Sequence, residues 1–215
     1  MFSTVEVSCS RCKQSRELQV YDSINVGEHP ELKAQVLDGS LFVWECPYCG
    51  GRNLLRRQLL YHDPSERLMV WLTCGSEDLE AHVREAYGGV DQLRGYTLRF
   101  VDDAGSLIEK VKVFDSGLDD IVMEMTKYVT RMEVAAGQKE RADEIQQATF
   151  RFLKLDGPDN EITLAYPLDG SMQMVAVGFN VYEDCRGILK RNPSLAESAS
   201  GFAKVDDARI SAFFK

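Results

Sequence analysis

The sequence predicts an α+β protein, and three observations carry this prediction. Short alternating segments fill the first 75 residues, a strongly amphipathic segment of helical period covers about residues 118 to 137, and three more alternating segments follow residue 148. The chain has 215 residues, of which 44% are hydrophobic and 27% charged, and this is the composition of a globular protein. We therefore expect a ribbon-like N-terminal module joined to a mixed α/β domain, with a mostly β C-terminal segment.

The elements of the N-terminal region alternate with turns, two of which contain cysteine pairs. Pro30 suits the first position of a helix and Gly39 suits the position after its end, so a short helix is predicted between them. The remaining predicted elements are strands at residues 4–7, 17–21 and 41–45 and a hairpin with arms at 54–61 and 68–72.

After this hairpin, the apolar residues first recur at helical spacing and then alternate again. Ser76 is a suitable N-cap for a helix that runs to about Tyr87 and that Gly88 and Gly89 would end. Segments 96–102 and 107–114 resemble the arms of a second hairpin.

The longest predicted helix follows this second hairpin. Ser116 and Asp119 fit a capping box, the apolar residues beyond them recur at helical spacing, and Gly137 ends the pattern.

Residues 138–147 are polar and charged, and they supply the predicted domain boundary. On this prediction, region 1–137 comprises a ribbon over residues 1–75 with hairpins and helices over 76–137, and a β-rich segment covers 145–215. Within that segment, three alternating stretches predict a meander, and residues 206–214 predict a short docking helix.

Charge and hydropathy disfavour a membrane protein, an exported protein and a general binder of nucleic acid. No window has the roughly 18–20 uninterrupted apolar residues of a membrane span, and the N-terminus lacks the basic start of an export signal. The sequence therefore predicts a cytoplasmic protein. A formal charge of −9 disfavours general affinity for nucleic acid, and the excess of acid lies in residues 76–215, since residues 1–75 are nearly neutral.

The most specific chemical signal is a pair of Cys-x-x-Cys motifs formed by Cys9, Cys12, Cys46 and Cys49, with 33 residues between the motifs. A two-residue gap lets both sulfurs of one tight turn face the same ion, and two such turns supply four thiolates in a tetrahedron. The pattern predicts one structural Zn²⁺ per chain, with these four cysteines as its ligands and no open position for catalysis.

Neighbouring residues fit such a site. Arg11, Lys13 and Arg52 flank the motifs and are expected to offset the formal charge of −2 that zinc with four thiolates carries. Gly50 and Gly51 let backbone N–H groups approach sulfur without a side chain in the way.

A redox role is the first alternative, because Cys46-Pro-Tyr-Cys49 resembles the dithiol motif of glutaredoxins. Such a motif opens a helix whose N-terminus lowers the thiol pKa, whereas glycines and a predicted strand follow Cys49. A thiol-disulfide oxidoreductase using Cys46 and Cys49 stays an alternative hypothesis.

Nucleic-acid binding by a zinc ribbon is the second alternative. Arg52, Arg56 and Arg57, with Tyr61 nearby, form a basic and aromatic segment. On a strand, however, Arg56 and Arg57 point to opposite faces, which dilutes the patch. We therefore expect a protein partner rather than nucleic acid or a membrane.

The other reactive residues carry weaker signals. His62 beside Asp63 is expected to be a turn residue rather than a general base, and Cys74 and Cys185 are expected to be small buried apolar residues. The sequence has neither a nucleophile-elbow motif nor a glycine-rich phosphate loop. No catalytic or cofactor-binding residue is predicted, and the balance favours a non-enzymatic protein.

The chain resembles the CpXC domain family of bacteria and archaea, which is named for its Cys-Pro-x-Cys motifs. The resemblance rests on both cysteine motifs, residues 24–33, residues 38–40, the sequence Tyr61-His-Asp-Pro64 and residues 116–120, and it covers about residues 5–133. It implies a metal-binding domain and supplies no activity. Ser10 departs from the family pattern because it stands where the family has proline; the ligand spacing is unchanged, but the first motif is expected to be less rigid.

Overall fold

The computed structural model describes residues 1–87 and 93–214, and it confirms the α+β class. The chain divides into two compact units. Unit 1 comprises residues 1–108 and 201–203, and unit 2 comprises residues 109–200 and the chain from residue 204 onward.

Twelve strands are present within the described residues. They are β1 Phe2–Ser8, β2 Ser15–Tyr21, β3 Ser23–Asn25, β4 Val43–Glu45, β5 Arg52–Leu54, β6 Leu59–Asp63, β7 Leu68–Leu72, β8 Thr97–Val101, β9 Arg151–Asp156, β10 Glu161–Leu168, β11 Ser171–Val177 and β12 Ala203–Lys204.

Eight α-helices are present in the same ranges. They are α1 Pro30–Leu37, α2 Glu77–Tyr87, α3 Ala104–Asp115, α4 Asp120–Gly137, α5 Ala142–Gln147, α6 Phe179–Arg191, α7 Pro193–Glu197 and α8 Asp207–Phe213. None of these helices has the length and apolar composition that crossing a bilayer requires.

Unit 1 contains two small antiparallel hairpins and one mixed sheet. The hairpins pair β1 with β2 and β4 with β5. The mixed sheet has the order β12-β8-β7-β6-β3, in which β6 and β7 are antiparallel while β3 is parallel to β6 and β8 is parallel to β7. A core on this sheet is formed by five buried side chains, Met69, Val83, Leu98, Phe100 and Phe202.

The turn between β6 and β7 is held by a buried carboxylate. Asp63 accepts hydrogen bonds from Lys33 Nζ at 2.9 Å, from Ser65 Oγ at 2.5 Å and from Tyr61 Oη at 3.3 Å. Burial by itself would raise the pKa of Asp63, but the hydrogen bonds from Ser65 and Lys33 and the charge of Lys33 hold it below its ordinary value. The segment Tyr61-His-Asp-Pro64 therefore joins α1 to the sheet and has a structural explanation.

The predicted second hairpin is wrong in its second arm. Segment 107–114 is the helix α3 rather than a strand, since Asp103 caps the helix by accepting from Ser106 N at 2.9 Å and Ser106 Oγ at 2.6 Å. The helical period of this segment was hidden in the sequence because Glu109 and Lys110 interrupt its apolar stripe. Both charged residues are nevertheless buried.

The long helix begins where predicted, but its capping residue differs from the prediction. Asp119, rather than Ser116, is the N-cap, and its carboxylate accepts from the N–H groups of Ile121 and Val122. Ser116 instead bonds back to the Lys112 carbonyl at the end of α3. For α2, Ser76 caps as predicted, by accepting from Leu79 N, whereas the predicted end at Gly88 and Gly89 lies outside the described residues.

Unit 2 is built around α4 and an antiparallel meander. The three predicted strands are present as β9, β10 and β11, in the order β11-β10-β9. The predicted docking helix is present as α8, where Arg131 of α4 pairs with Asp207 at 2.6 Å. Helix α6 had no counterpart in the prediction, although its buried Tyr182 and Cys185 lie at helical spacing.

A network of buried charges joins α3, α4 and β9. Lys127 Nζ lies 2.8 Å from Glu109 Oε1 and 2.9 Å from Glu124, and Lys110 Nζ lies 3.0 Å from Asp120. Glu109 also accepts from the N–H of Phe152 at 2.7 Å. These side chains are all at most about 10% exposed, so each charge depends on its partners rather than on water.

Candidate metal centre

The two cysteine pairs lie at the tips of the two small hairpins, and the two tips have the same hydrogen bonds. In the first tip, Cys9 N donates to Gln14 O at 2.9 Å and Lys13 N donates to Cys9 O at 3.0 Å. In the second tip, Cys46 and Gly50 occupy the positions of Cys9 and Lys13 and donate over 2.9 and 2.8 Å. The chain therefore builds the same turn twice, 37 residues apart.

A left-handed backbone residue closes each turn. Lys13 has a φ of 63° and Gly50 has a φ of 65°. This conformation is free for glycine and costs about 1–2 kcal/mol for another residue. Lys13 offsets part of that cost with a hydrogen bond from its Nζ to the Ser10 carbonyl at 2.8 Å.

The turns bring the sulfurs of Cys9, Cys12, Cys46 and Cys49 within 4.8 Å of one another. The Sγ atoms of Cys9 and Cys49 are 3.7 Å apart, and those of Cys12 and Cys46 are 3.6 Å apart. Four sulfurs placed tetrahedrally at the usual Zn–S distance of about 2.3 Å lie about 3.8 Å from one another. A disulfide needs about 2.05 Å, and all four cysteines are free thiols. The spacing therefore fits a shared metal ion.

The cluster is partly enclosed by apolar side chains. Cys9 and Cys46 are each 1% exposed, and Trp44 is buried with them. The half-buried residues Val7, Leu18 and Leu55 pack around this group. The small number of these residues indicates that the two hairpin tips depend on more than apolar burial to stay together.

Asn53 connects the two turns, a role that no sequence pattern predicted. Its Oδ1 accepts from both the N–H and the hydroxyl of Ser10 at 2.8 Å, while its Nδ2 donates to Gly51 O at 2.8 Å and approaches Cys9 Sγ at 3.6 Å. The Asn53 side chain is buried, so its bond to Cys9 is shielded from water and the other three are partly shielded. A single asparagine in a short strand looks like a surface residue in sequence, and only its position opposite Ser10 reveals its role.

Ser10, which stands where the family pattern has proline, makes a hydrogen bond that links the first turn to Asn53. Its backbone N–H donates to Asn53, a bond that proline at this position is unable to make. Pro47 holds the equivalent place in the second turn. The two turns thus differ in a definite way, with a rigid residue in one and a hydrogen-bonded residue in the other.

The sulfurs differ in their acidity. The backbone N–H of Cys12, together with the N–H of Arg11 and the amide of Asn53, outweighs burial and lowers the pKa of Cys9 to about 6. For Cys12, the N–H of Gln14 favours the thiolate, but burial and the neighbouring thiols raise its pKa to about 12. These pKa values favour the thiolate of Cys9 and the thiol of Cys12 at neutral pH, so loading a divalent cation would release the proton of Cys12.

The flanking cations were predicted to offset the charge of the site, and two of them reach the turns through carbonyl oxygens rather than through sulfur. Arg11 donates to the carbonyl of Cys49 at 3.5 Å, and Lys13 donates to a carbonyl as well. Arg52 is exposed and lies opposite Glu45 in the β4–β5 pairing. The structure agrees with the prediction that Gly51 keeps side-chain atoms away from the sulfurs, because a Cβ at this residue would lie 3.3 Å from Cys49 Sγ.

The redox alternative places Cys46 at the start of a helix, and the structure does not. Cys46 and Cys49 lie in a turn between β4 and β5. Without a helix N-terminus, the usual cause of an activated thiolate in such motifs is missing.

The arginines of the nucleic-acid alternative share one surface, contrary to the strand-based expectation. Residues 55–58 lie between β5 and β6 rather than in a strand, so Arg56 and Arg57 are not held on opposite faces. Both arginines, with Arg52, line a groove of about 530 Å³ in unit 1.

The remaining candidates have ordinary positions. His62 lies in β6 rather than in a turn, where its Nε2 is 3.2 Å from Tyr96 Oη. Cys185 is buried as expected, and burial raises the pKa of its thiol. Cys74 is exposed, contrary to the expectation of burial, and has a left-handed φ of 54°.

Comparisons with known proteins identify one family. A family model described as CpXC protein matches residues 7–127, which is more than half of the chain and includes all four cysteines of the cluster. A search of curated proteins found no match, and a search of solved structures found none.

Proposed function

The chain belongs to the CpXC family, and we propose that Cys9, Cys12, Cys46 and Cys49 bind one structural zinc ion that organises a non-enzymatic interaction module. The observation that carries this proposal is the convergence of four sulfurs, at separations of 3.6 and 3.7 Å in two pairs, from two hairpin tips. When bound, the ion would supply cross-linking of the tips and charge balance for the thiolates.

The donor set favours zinc over the other common divalent cations. Thiolates are soft ligands, whereas magnesium and calcium take oxygen ligands. Four thiolates in a tetrahedron suit zinc or iron, and zinc needs no redox partner. The turn N–H groups and Asn53 donate to the sulfurs, which matches the polar support that such ligands receive in other proteins.

A structural role follows from the closed ligand set. Four protein ligands complete the tetrahedron and leave no position for a substrate or water. Zinc binding in small modules is worth about 10–16 kcal/mol at neutral pH, and this energy is available for folding. The few buried apolar residues around the cluster would supply much less.

The proposed setting is the cytoplasm, and the proposed partner is a protein. Free thiols at metal-binding spacing persist in a reducing compartment. A module without a reacting group acts by presenting a surface, and the groove beside the cluster offers one.

Metal analysis of the purified full chain tests the proposal. We expect close to one zinc per chain, and we expect chelation to abolish the cooperative melting of unit 1. Zinc-free protein with unchanged thermal stability would refute the structural role. Bound iron, recognised by its visible absorption, would refute the choice of metal.

Alkylation separates this function from thiol-disulfide chemistry. We expect Cys46 to resist iodoacetamide at neutral pH as long as the metal is bound, while the exposed Cys74 reacts. Rapid modification of Cys46 in the folded, metal-loaded protein would favour the oxidoreductase instead.

A further inference from the structure

The outer edge of β1 carries backbone groups that lack a partner within the described residues. The pairing of Met1 with Asp22 and of Cys9 with Gln14 assigns the hydrogen-bonded positions of β1 to the odd-numbered residues. The N–H and C=O groups of Glu6 and Ser8 therefore point away from β2. Among residues 1–87 and 93–214, the sheet of β1 and β2 has two strands, and no third strand pairs with this edge.

Strand β5, across the groove, also has an edge that no other strand of the described part of the chain pairs with. Cys46 pairs with Gly51, and Leu55 N donates to Phe42 O at 2.8 Å, so residues 51, 53 and 55 face β4. The backbone groups of Arg52 and Leu54 consequently point away from β4. Glu6, Ser8, Arg52 and Leu54 all line the same groove of about 530 Å³.

The N–H that follows the β1 edge, in the turn after the strand, already has a partner, and that partner is a side-chain oxygen. Ser10 N, the next outward-pointing N–H after Ser8, donates to Asn53 Oδ1 at 2.8 Å. Beyond this bond the outward groups of Ser8 and Glu6 have no partner in the described ranges. Beside the metal centre, the groove thus starts at a backbone N–H that is already hydrogen-bonded. It continues along the backbone groups of Ser8 and Glu6, which have no partner among the described residues.

The volume of the groove suits a short extended segment. A strand residue occupies about 3.4 Å along the strand, about 4.8 Å between strands and about 10 Å between packed faces, or roughly 160 Å³. About 530 Å³ therefore accommodates three to four residues. This length matches the stretch of β1, residues 5–8, that lines it.

The charge of the groove selects the kind of segment. Arg52, Arg56 and Arg57 line it, against the single acid Glu6, in a chain whose formal charge is −9. Neither Arg52 nor Arg56 has an ion-pair partner among the described residues, while Arg57 lies 3.7 Å from Asp22. Leu54 is 61% exposed and provides an apolar contact between the arginines. The partner that fits is acidic and extended.

We propose that the groove between β1 and β5 binds an extended acidic segment of a partner protein, which adds to the free edge of β1 as a strand. Main-chain hydrogen bonds supply affinity and the arginines supply selectivity for acid, as in other complexes formed by strand addition. This proposal rests on the proposed function, because the metal-bound hairpin tips fix the distance between the two edges.

The probe is a fluorescein-labelled peptide, Glu-Val-Glu-Thr-Glu-Val, added to the full-length, zinc-loaded chain. We expect saturable binding that falls at least tenfold for the Lys-Val-Lys-Thr-Lys-Val peptide. We also expect a loss of about tenfold when alternate peptide nitrogens are methylated, since methylation removes the ladder and keeps the charge.

Two variants separate the backbone contribution from the charge contribution. Glu6→Pro removes the outward N–H of β1 without touching the ladder to β2, and we expect it to weaken binding at least tenfold. Glu6→Gln keeps that N–H, and we expect it to bind the acidic peptide about two- to threefold more tightly because a like charge is lost.

The arginine test uses a charge reversal inside the groove and one outside it. We expect the double variant Arg52→Glu with Arg56→Glu to weaken binding at least tenfold, and Arg16→Glu on β2 to change it less than twofold. Amide exchange gives an independent readout: the N–H groups of Glu6 and Ser8 gain protection on binding, while those of Val5 and Val7 are protected already.

Several outcomes would overturn the proposal. These are no binding at about 1 mM peptide, undiminished binding by Glu6→Pro, or binding of single-stranded oligonucleotides in place of the peptide. Zinc content is measured for every variant. If the zinc is present and the peptide does not bind, the groove proposal alone fails; if the chain holds no metal, the proposed function fails as well.

Discussion

Asn53 accepts two hydrogen bonds from Ser10, one from the N–H and one from the hydroxyl, each 2.8 Å long. This pair links the hairpin that holds Cys9 to the hairpin that holds Cys46. The link predicts that Asn53→Ala lowers the free energy of unfolding of the metal-loaded protein by about 1–3 kcal/mol, because several partly or fully buried hydrogen bonds are lost together. Chemical denaturation in the presence of excess zinc measures it. An effect below about 0.5 kcal/mol would show that the link does not support the site.

Ser10→Pro restores the proline of the family motif and is nevertheless expected to destabilise the protein. Proline removes both bonds to Asn53, whereas Ser10→Ala removes only the hydroxyl bond and keeps the N–H. We expect the thermal midpoint to fall in the order wild type, Ser10→Ala, Ser10→Pro. A Ser10→Pro protein at least as stable as wild type would mean that turn rigidity outweighs the hydrogen bonds.

Removing a single sulfur of the cluster is expected to abolish metal binding at one equivalent. Cys46→Ser replaces a buried ligand, while Cys74→Ser changes an exposed thiol outside the cluster and serves as the matched control. Metal content after gel filtration against a weak chelator measures the difference. Equal zinc in both variants would exclude Cys46 as a ligand.

The buried charges of unit 2 predict a large difference between two lysine substitutions. Lys127→Met leaves Glu109 and Glu124 buried with one cation fewer and is expected to cost about 3–5 kcal/mol. Lys154→Met breaks an exposed ion pair with Asp156 and is expected to cost less than about 1 kcal/mol. Similar losses in the two variants, measured by denaturant unfolding, would contradict the network.

The same network predicts how stability depends on pH. Burial opposes ionisation of both partners, but their mutual attraction lowers the pKa of Glu109 and raises that of Lys127. The contribution of Glu109 is therefore present above its unfolded pKa of 4.5 and lost as the pH falls through the lower folded value. The contribution of Lys127 to stability is present below its unfolded pKa of 10.5 and is lost as the pH rises through its higher pKa in the folded protein.

Glu109→Gln separates this effect from acid release of the metal. We expect the variant to be less stable at neutral pH and its stability to change less with acid than that of the wild type. Parallel pH profiles for the two proteins, from unfolding at fixed zinc concentration, would show that Glu109 does not titrate as the network requires.

The sulfur cluster is the part of the site that could be predicted from the sequence. The Cys-x-x-Cys spacing indicates a tight turn with two sulfurs on one side, and two such turns indicate four ligands. Asn53 and the shared groove were missed, since both depend on which residues lie opposite one another across two separate hairpins. Local periodicity contains no such information.

The fold errors have a similar cause. Segment 107–114 appeared to be a strand because Glu109 and Lys110 interrupted the helical stripe, and only the partners supplied by α4 make their burial tolerable. The meander of β9, β10 and β11 was predictable because its alternation and its turns are both local.

X-ray absorption at the zinc edge of the purified full-length protein tests the central claim most directly. The predicted result is one zinc per chain with four sulfur neighbours at about 2.3 Å. A shell containing nitrogen or oxygen, or the absence of zinc together with a disulfide between any two of the four cysteines, would contradict it.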